Sequence, residues 1–517
     1  MIKTEERSLP FGVNPVRLYR DLCSSRGLKN TLLLESADVQ TKAGQKSFLM
    51  ARSALKITAR EDAVVVCALS ALGESILEQL VSAPSLSAKS REKSRAVFEI
   101  PNRNSEGCLS EQLHAKSCLD VLRDVLKLHV FAQSSSKEHF LTAGILSYDL
   151  IDQFEDLPRA KKDPLAFPDY VFWCPESFIE IDHVRNVTNI VHHHLDDAGD
   201  FVTEAIALCA QRSSEKAMLP DHIPLAEKQS VDVDMGDGEY ESLVEKLKEY
   251  VVGGDVFQIV PSRTFSMPCS DSLSVYECLK AINPSPYMYY VTDEEYELLG
   301  ASPETFIKLD AATRIVDVKP IAGTRRRGLK PNGEVDDELD SRLEAELRLD
   351  TKELSEHMML VDLARNDIAR VSKLGTRHVQ RLLSVERYSH VMHLVSQVTG
   401  ELAQGLDGLH AYQASLNMGT LVGAPKVKAA QLLREHELSK RATYGGAIGY
   451  MDAAGNFDTA IIIRSAYVSG GVARVRAGAG VVYDSLPEAE QQETRAKASA
   501  VLGAIAWVNR NAEGVMR

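Results

Sequence analysis

Hydrophobic and polar positions along this chain of 517 residues fall into blocks whose period is either 2 or about 3.6. Runs rich in β-branched and aromatic residues predict strands over 31–35, 63–69, 139–147, 171–181 and 187–192. Leu243, Leu247 and Val251 recur at helical spacing and predict a helix over 239–252. Further on, the turns Ala454-Gly455-Asn456 and Ser469-Gly470-Gly471 separate the runs 444–451, 459–468 and 472–482, which together predict an antiparallel meander. Between about residues 212 and 238 Ser, Pro, Asp and Glu replace the apolar period. A surface linker there would divide the chain into regions 1–225 and 226–517. No internal repeat is visible.

Two amphipathic stretches open on Glu-x-x-Glu pairs, Glu353/Glu356 and Glu490/Glu493. Asp350 precedes the first, and Ser485 with Pro487 precedes the second, so each carries the signal of a helix start. Residues i and i+3 share a helix face. Turned toward each other, the two faces would present carboxylate oxygens to one hard cation and leave positions for water and an anionic substrate. The alternative is four solvated glutamates that merely suit the helix dipole.

Composition narrows the class. A content of 44% hydrophobic and 26% charged residues is that of an ordinary globular protein. The longest apolar stretches, 63–72 and 501–508, are short of the roughly 18 residues of a membrane span, and no secretory signal opens the chain. Eight scattered cysteines without a Cys-x-x-Cys pair read as reduced thiols, which points to the cytoplasm. A formal charge of −14 repels polyphosphates and speaks against a nucleic-acid partner. It also means that an anionic substrate must be captured by local cations. His192-His193-His194, beside Asp196-Asp197, reads as a polar loop, and Arg325-Arg326-Arg327 as an anion patch or a solvated turn leading into Gly328. Gly419 to Lys426 is not a phosphate loop, because Ala424-Pro425 interrupts the required pattern; Pro425 suits a first helical turn.

A series of short motifs runs through the second half: Phe257-Gln258-Ile259-Val260-Pro261-Ser262-Arg263, Asn283-Pro284-Ser285-Pro286-Tyr287-Met288-Tyr289, Gly300-Ala301-Ser302-Pro303-Glu304 and Pro320-Ile321-Ala322-Gly323-Thr324. Glu356-His357, Val361 to Asp367, Gly419-Thr420-Leu421, Tyr444-Gly445-Gly446 and Gly478-Ala479-Gly480 follow. In order and density they resemble anthranilate synthase component I, the large chorismate-binding subunit, over nearly the whole chain from Leu32-Leu33-Leu34-Glu35-Ser36 onward. The resemblance implies an α+β fold, two interlocked antiparallel β-sheets, sandwich-like, with surrounding helices.

It also implies a reaction. Chorismate would be aminated by ammonia and lose pyruvate to give anthranilate, the first step of tryptophan synthesis. Glu356 and Glu493 would bind Mg²⁺ directly and Glu353 and Glu490 through water, with Glu353 also the acid for the departing hydroxyl. Arg464, a guanidinium fork suited to a carboxylate, and Tyr444 would hold the enolpyruvyl group. Gly323, Gly478, Ala479 and Gly480 would bring backbone amides close, Thr324 and Thr420 would add hydroxyls, Lys497 would face the substrate, and His393 would assist pyruvate loss. Gln258 stands where water-adding relatives carry a lysine, and Ala322 where aminodeoxychorismate synthases carry a nucleophilic lysine. Both departures favour direct attack by ammonia. No glycine-flanked cysteine suits a glutaminase, so a separate glutamine amidotransferase subunit is implied, in a heterotetramer of two large and two small chains. Tryptophan, as feedback inhibitor, would bind Glu35, Ser36, Lys46, Pro286, Tyr287, Met288, Ile448 and Tyr450, with Tyr289 in place of the family's usual Phe. A catalytically silent tryptophan-binding scaffold for a glutaminase is the competing reading.

Overall fold

The computed structural model describes residues 2–37, 44–82, 84–101, 109–128, 137–195, 199–212, 231–330, 334–387 and 391–515. Asp196, Asp197, His390 and most of the expected linker lie outside them. Two long strands organise the rest. Gly44–Arg60, of 17 residues, and Tyr170–Asp182, of 13, pair antiparallel, and their register shifts between Met50 and Leu55. The sequence explains the shift. Ala51-Arg52-Ser53-Ala54 interrupts the large apolar residues Phe48-Leu49-Met50 and Leu55, and opposite Ser53 stands Pro175, which has no N–H for the ladder.

On one side of this bend the two strands belong to a first sheet, and on the other side to a second. In the first, the neighbours run Asp232–Val233, Ser262–Pro268, Val472–Gly478, Ser465–Ser469, Glu297–Ser302, Tyr287–Thr292, Thr31–Ala37, the two long strands, Val187–His194 and Lys3–Leu9. In the second, Ala63–Ala68 pairs with Gly44–Arg60, while Tyr170–Asp182 leads through Leu141–Leu146, Ala447–Asp452, Phe457–Ile461, Thr305–Asp310 and Ile315–Val318 to Val391–Glu401. The named pairings are all antiparallel, so the two interlocked sheets expected from the resemblance are present. Regions 1–225 and 226–517 share both of them, because Thr31–Ala37 pairs with Tyr287–Thr292 and Leu141–Leu146 with Ala447–Asp452.

Alternation along the strands sorts side chains into three apolar layers. Met50, Ile145, Trp173, Tyr289, Leu298 and Ile462 fill the space between the sheets. The outer face of the first sheet packs under helices Pro15–Leu22, Phe201–Arg212, Ser272–Ile282 and Pro487–Val515. That of the second packs under Ala71–Ser82, Asp120–Lys127, Thr351–Ala369 and Gly408–Ala414. Among the described residues no helix is long and apolar enough to cross a membrane.

Three expectations are corrected here. The run 459–468 is not one strand: Phe457–Ile461 lies in the second sheet and Ser465–Ser469 in the first, and Arg464 between them takes a left-handed backbone, φ 50°. The meander is thereby cut where the chain changes sheets. His192–His194 is strand, not loop; His192 bonds Ser177 at 2.8 Å and His193 bonds Thr4 at 2.9 Å. The covering strand comes from the chain's start, which local polarity cannot reveal. Arg325 and Arg326 are also in a strand, Ile321–Arg326, and Arg327 pairs with buried Asp340 at 2.8 Å.

Candidate active site

Asp350 caps helix Thr351–Ala369 by accepting from the backbone N–H groups of Lys352 and Glu353 at 3.0 and 3.1 Å. The cap fixes Glu353 and Glu356 on successive turns. Glu490 and Glu493 stand in the opening turns of Pro487–Val515. The two pairs do converge. Burial pushes the Glu356 carboxyl up to about 7, Lys352 opposes the rise, and Glu353, Glu490 and Glu493 all add to it. Burial raises Glu490 as well, with Ser485 opposing and Glu493 reinforcing. Glu493 is more open to solvent, and although desolvation by its surroundings opposes ionisation, Lys497 at 2.7 Å, Lys352 and Arg464 outweigh it and hold the carboxyl below the ordinary range. Glu353 is tied by Arg325 at 3.0 Å, and Arg325 also holds Asp350.

These carboxylates fit a cation in one respect: they repel one another where buried, which a bound positive charge would relieve. Among the described residues, however, no three His, Cys, Asp or Glu side chains already enclose a metal position. A cation here would rely on water or substrate oxygens for the remainder of its shell.

Gly323 bulges from its strand with φ +68°, at a register shift between Ala322 and Thr324. A Cβ at this position would sit 3.1 Å from Glu353 Oε2. The bulge turns Thr324 toward His393, whose Nδ1 lies 3.0 Å from Thr324 Oγ1 and 3.2 Å from Gly323 O. Burial, with Arg464 and Lys497 adding to it and the Gly323 carbonyl opposing, pushes His393 down to about 4, so its imidazole is neutral at physiological pH.

Two cations lie beside Glu493. Lys497 donates to Gly478 O at 3.1 Å. Arg464 lies within electrostatic reach of Tyr444 and Glu493, yet its guanidinium has no hydrogen bond or ion pair with the described residues. A Cβ on Gly478 would meet the Tyr444 hydroxyl at 3.2 Å, and one on Gly480 would meet Gln258 Nε2 at 2.6 Å, so both glycines are needed for this close approach. Ala479 departs from the expectation: its N–H already donates to Pro261 O at 3.2 Å and is not free for an anion.

The residue missed in the sequence is Glu304. It occupies the Ser302-Pro303-Glu304 crossing between Glu297–Ser302 of the first sheet and Thr305–Asp310 of the second. Burial pushes its carboxyl up to about 8, against the pull of the Thr420 hydroxyl and the Lys497 ammonium. A lone acid between apolar strand runs was the available signal. Gln258 adds a buried side-chain oxygen with no hydrogen-bond partner among the described residues.

The residues expected to bind tryptophan do not share one face. Ser36, Lys46, Tyr287, Ile448 and Tyr450 alternate with residues of the outer layer and look between the sheets, as Leu34, Phe48 and Ile448 show by their packing. Glu35 and Met288, one residue out of phase, face the other way. Glu35 is buried there against Lys280, Tyr276 at 2.6 Å and Ser47 at 3.1 Å, and Met288 packs in the outer layer. Their side chains therefore point away from those of Ser36, Lys46, Tyr287, Ile448 and Tyr450. Tyr287 bonds Asp458 at 3.0 Å, and Asp458 pairs with Lys308 at 2.8 Å. A separate cavity of about 260 Å³ beside Leu113, Phe154, Arg370 and Gln413 holds none of these residues.

Four acidic groups, a guanidinium with no partner among the described residues, an ammonium paired with Glu493, and a neutral imidazole near a carboxyl raised to about 8 suit an enzyme site for a small anionic substrate. Comparison with known proteins makes this specific: the chain belongs to the chorismate binding enzyme family, whose model matches residues 85–503. It is 45% identical over 98% of its length to anthranilate synthase component 1 of Vibrio cholerae, of which it covers 96%. It is 47% identical over 93% of its length to the pyocyanine-specific anthranilate synthase component 1 of Pseudomonas aeruginosa, covering 91% of that chain. The crystal structure of anthranilate synthase component I from Streptococcus pneumoniae superposes with a TM-score of 0.66 at 27% identity, over 88% of this chain and 92% of that one.

Proposed function

We propose that this chain is the large subunit of an anthranilate synthase, converting chorismate and ammonia to anthranilate and pyruvate in the cytoplasm at the start of tryptophan synthesis. The observation that carries the proposal is the approach of Arg464, whose guanidinium has no partner among the described residues, to Glu493 in the converged set Glu353, Glu356, Glu490 and Glu493. Arg464 and Tyr444 take the enolpyruvyl carboxylate. Mg²⁺, held by Glu356 and Glu493 and through water by Glu353 and Glu490, would when bound draw electron density from the ring through its carboxylate. Glu304, protonated near neutrality because it is buried, gives its proton to the departing ring hydroxyl as ammonia adds at the far end of the conjugated system. This role suits Glu304 better than Glu353, whose carboxylate is held by Arg325. His393, neutral and fixed by Thr324, accepts the ring proton that is lost when pyruvate leaves. Gln258 offers ammonia a hydrogen-bond acceptor but cannot deprotonate water, and Ala322 offers no nucleophile.

Ammonia comes from a separate glutaminase subunit, in an assembly of two large and two small chains. Tryptophan binds the cleft between Ser36, Lys46, Tyr287, Ile448 and Tyr450 and lowers chorismate affinity. The test is direct: purified chain with chorismate, ammonium and Mg²⁺ should yield fluorescent anthranilate, and with glutamine in place of ammonium it should yield none. No anthranilate with ammonium, or turnover of glutamine by the chain alone, overturns the reading. Tryptophan inhibition of the same assay separates a tryptophan-pathway enzyme from one that serves another anthranilate-consuming route.

A further inference from the structure

We infer that the hydroxyl of Tyr289 is a positioning group for Arg464, and through it for the carboxylate end of the substrate; the inference rests on the function proposed above. Tyr289, Gly300 and Ser465 lie in one row across three neighbouring strands. Gly300 leaves the row open, since a Cβ there would come within 2.4 Å of the Tyr289 ring and hydroxyl. The ring lies over Gly300 and carries its hydroxyl to the third strand, 3.4 Å from Ile463 O and beside the Ser465 side chain. These two contacts bracket Arg464 in the chain.

Arg464 needs such support. Its φ of 50° is a backbone state that a long side chain adopts at a cost, and it persists only where neighbours hold it. Ala301 N–H supplies one hold, donating to Arg464 O at 3.1 Å. Because the guanidinium has no hydrogen bond or ion pair with the described residues, its aim into the crevice depends on how the backbone on either side of Cα is fixed. Tyr289 fixes the preceding carbonyl and the following side chain. On its other flank the same residue pairs with Leu34, two positions before Ser36, and Tyr287 two positions earlier faces the effector cleft. One cross-strand row, Leu34, Tyr289, Gly300 and Ser465, thus ties the cleft's strands to the segment that presents the substrate arginine.

The test compares wild type, Tyr289→Phe, Arg464→Lys and the double variant in ammonia-dependent anthranilate formation at saturating Mg²⁺. Phenylalanine keeps the ring over Gly300 and removes only the hydroxyl. In Tyr289→Phe the KM for chorismate should rise about two- to tenfold, the size expected for one hydrogen bond, while kcat changes by less than about twofold. In the Arg464→Lys background the same change should add nothing, because the group through which it acts is already gone. An unchanged KM in Tyr289→Phe, or an equal rise in both backgrounds, overturns the inference while leaving the proposed function standing. Wild-type protein that forms no anthranilate overturns both. Equal melting temperatures for wild type and Tyr289→Phe tie the KM change to Arg464 and not to general loosening.

Discussion

The glutamate-lined crevice and the proposed tryptophan cleft are built by the same two sheets, but they treat polar groups in opposite ways. In the crevice Arg464 has no partner among the described residues, Gln258 has a buried unpaired oxygen, and four glutamates face one another. Beside the cleft Glu35 is saturated by Lys280, Tyr276 and Ser47, while Tyr287, Asp458 and Lys308 form a closed chain. A fold can hold unsatisfied buried groups only at a cost, so their concentration marks where a charged ligand completes the structure. Satisfied groups mark scaffold. For the tryptophan site proposed above this leaves Ser36, Lys46 and the apolar walls as the contacts, with Glu35 holding the strand in place.

The largest expected effect would come from the carboxylates. Glu356→Gln or Glu493→Gln should lower kcat by about 10³-fold or more with an unchanged melting temperature. In the wild type, since a metal must displace the proton that Glu356 holds up to about 7, the Mg²⁺ concentration for half-maximal turnover should climb as pH falls below that value. Normal turnover in either variant would put the acidic end outside catalysis.

Next comes the proton donor. Glu304→Gln should cost about 10²- to 10⁴-fold in kcat. In the wild type, turnover expressed per free NH₃ should decline as pH rises through about 8, where Glu304 loses its proton, and the variant should lack that limb. A pH profile unaltered by the substitution would return the acid role to another group. Arg464→Lys, which keeps the charge but loses the fork, should raise the KM for chorismate about 10- to 100-fold with a smaller change in kcat.

The cleft should respond more gently. Ser36→Phe should relieve tryptophan inhibition, erasing a coupling of about 5- to 150-fold, and spare uninhibited turnover. Glu35→Gln should instead act on stability, lowering it by about 1–3 kcal/mol through loss of the Lys280 and Tyr276 contacts, a shift read in thermal melts. If Glu35→Gln abolished inhibition at full stability, the contrast between satisfied scaffold and open site would fail.

Much of this was legible in the residues. The strand expected over 31–35 is present and runs on to Ala37, and both glutamate-bearing helix starts and the cap at Asp350 appear where spacing and local chemistry put them. Glu304 was not singled out, because its proton affinity is set by burial between two sheets and not by its neighbours in sequence. The resemblance implies Glu35 and Met288 together with Ser36 and Tyr287, whereas a strand sends adjacent side chains to opposite faces. The triple histidine reads as polar until Lys3–Leu9 is paired beside it.

What the sequence determined by itself is local: periods of 2 and 3.6, turns, caps, and the residue types able to bind a carboxylate or a hard cation. What the tertiary structure alone decided is which of these meet. The chain leaves one sheet for the other at Arg464 and at Glu304, and the helices carrying Glu356 and Glu493 come together on the crevice from opposite layers. Electrostatic and desolvation terms depend on distances through space, and residues more than a hundred positions apart set them, so no window along the chain contains them.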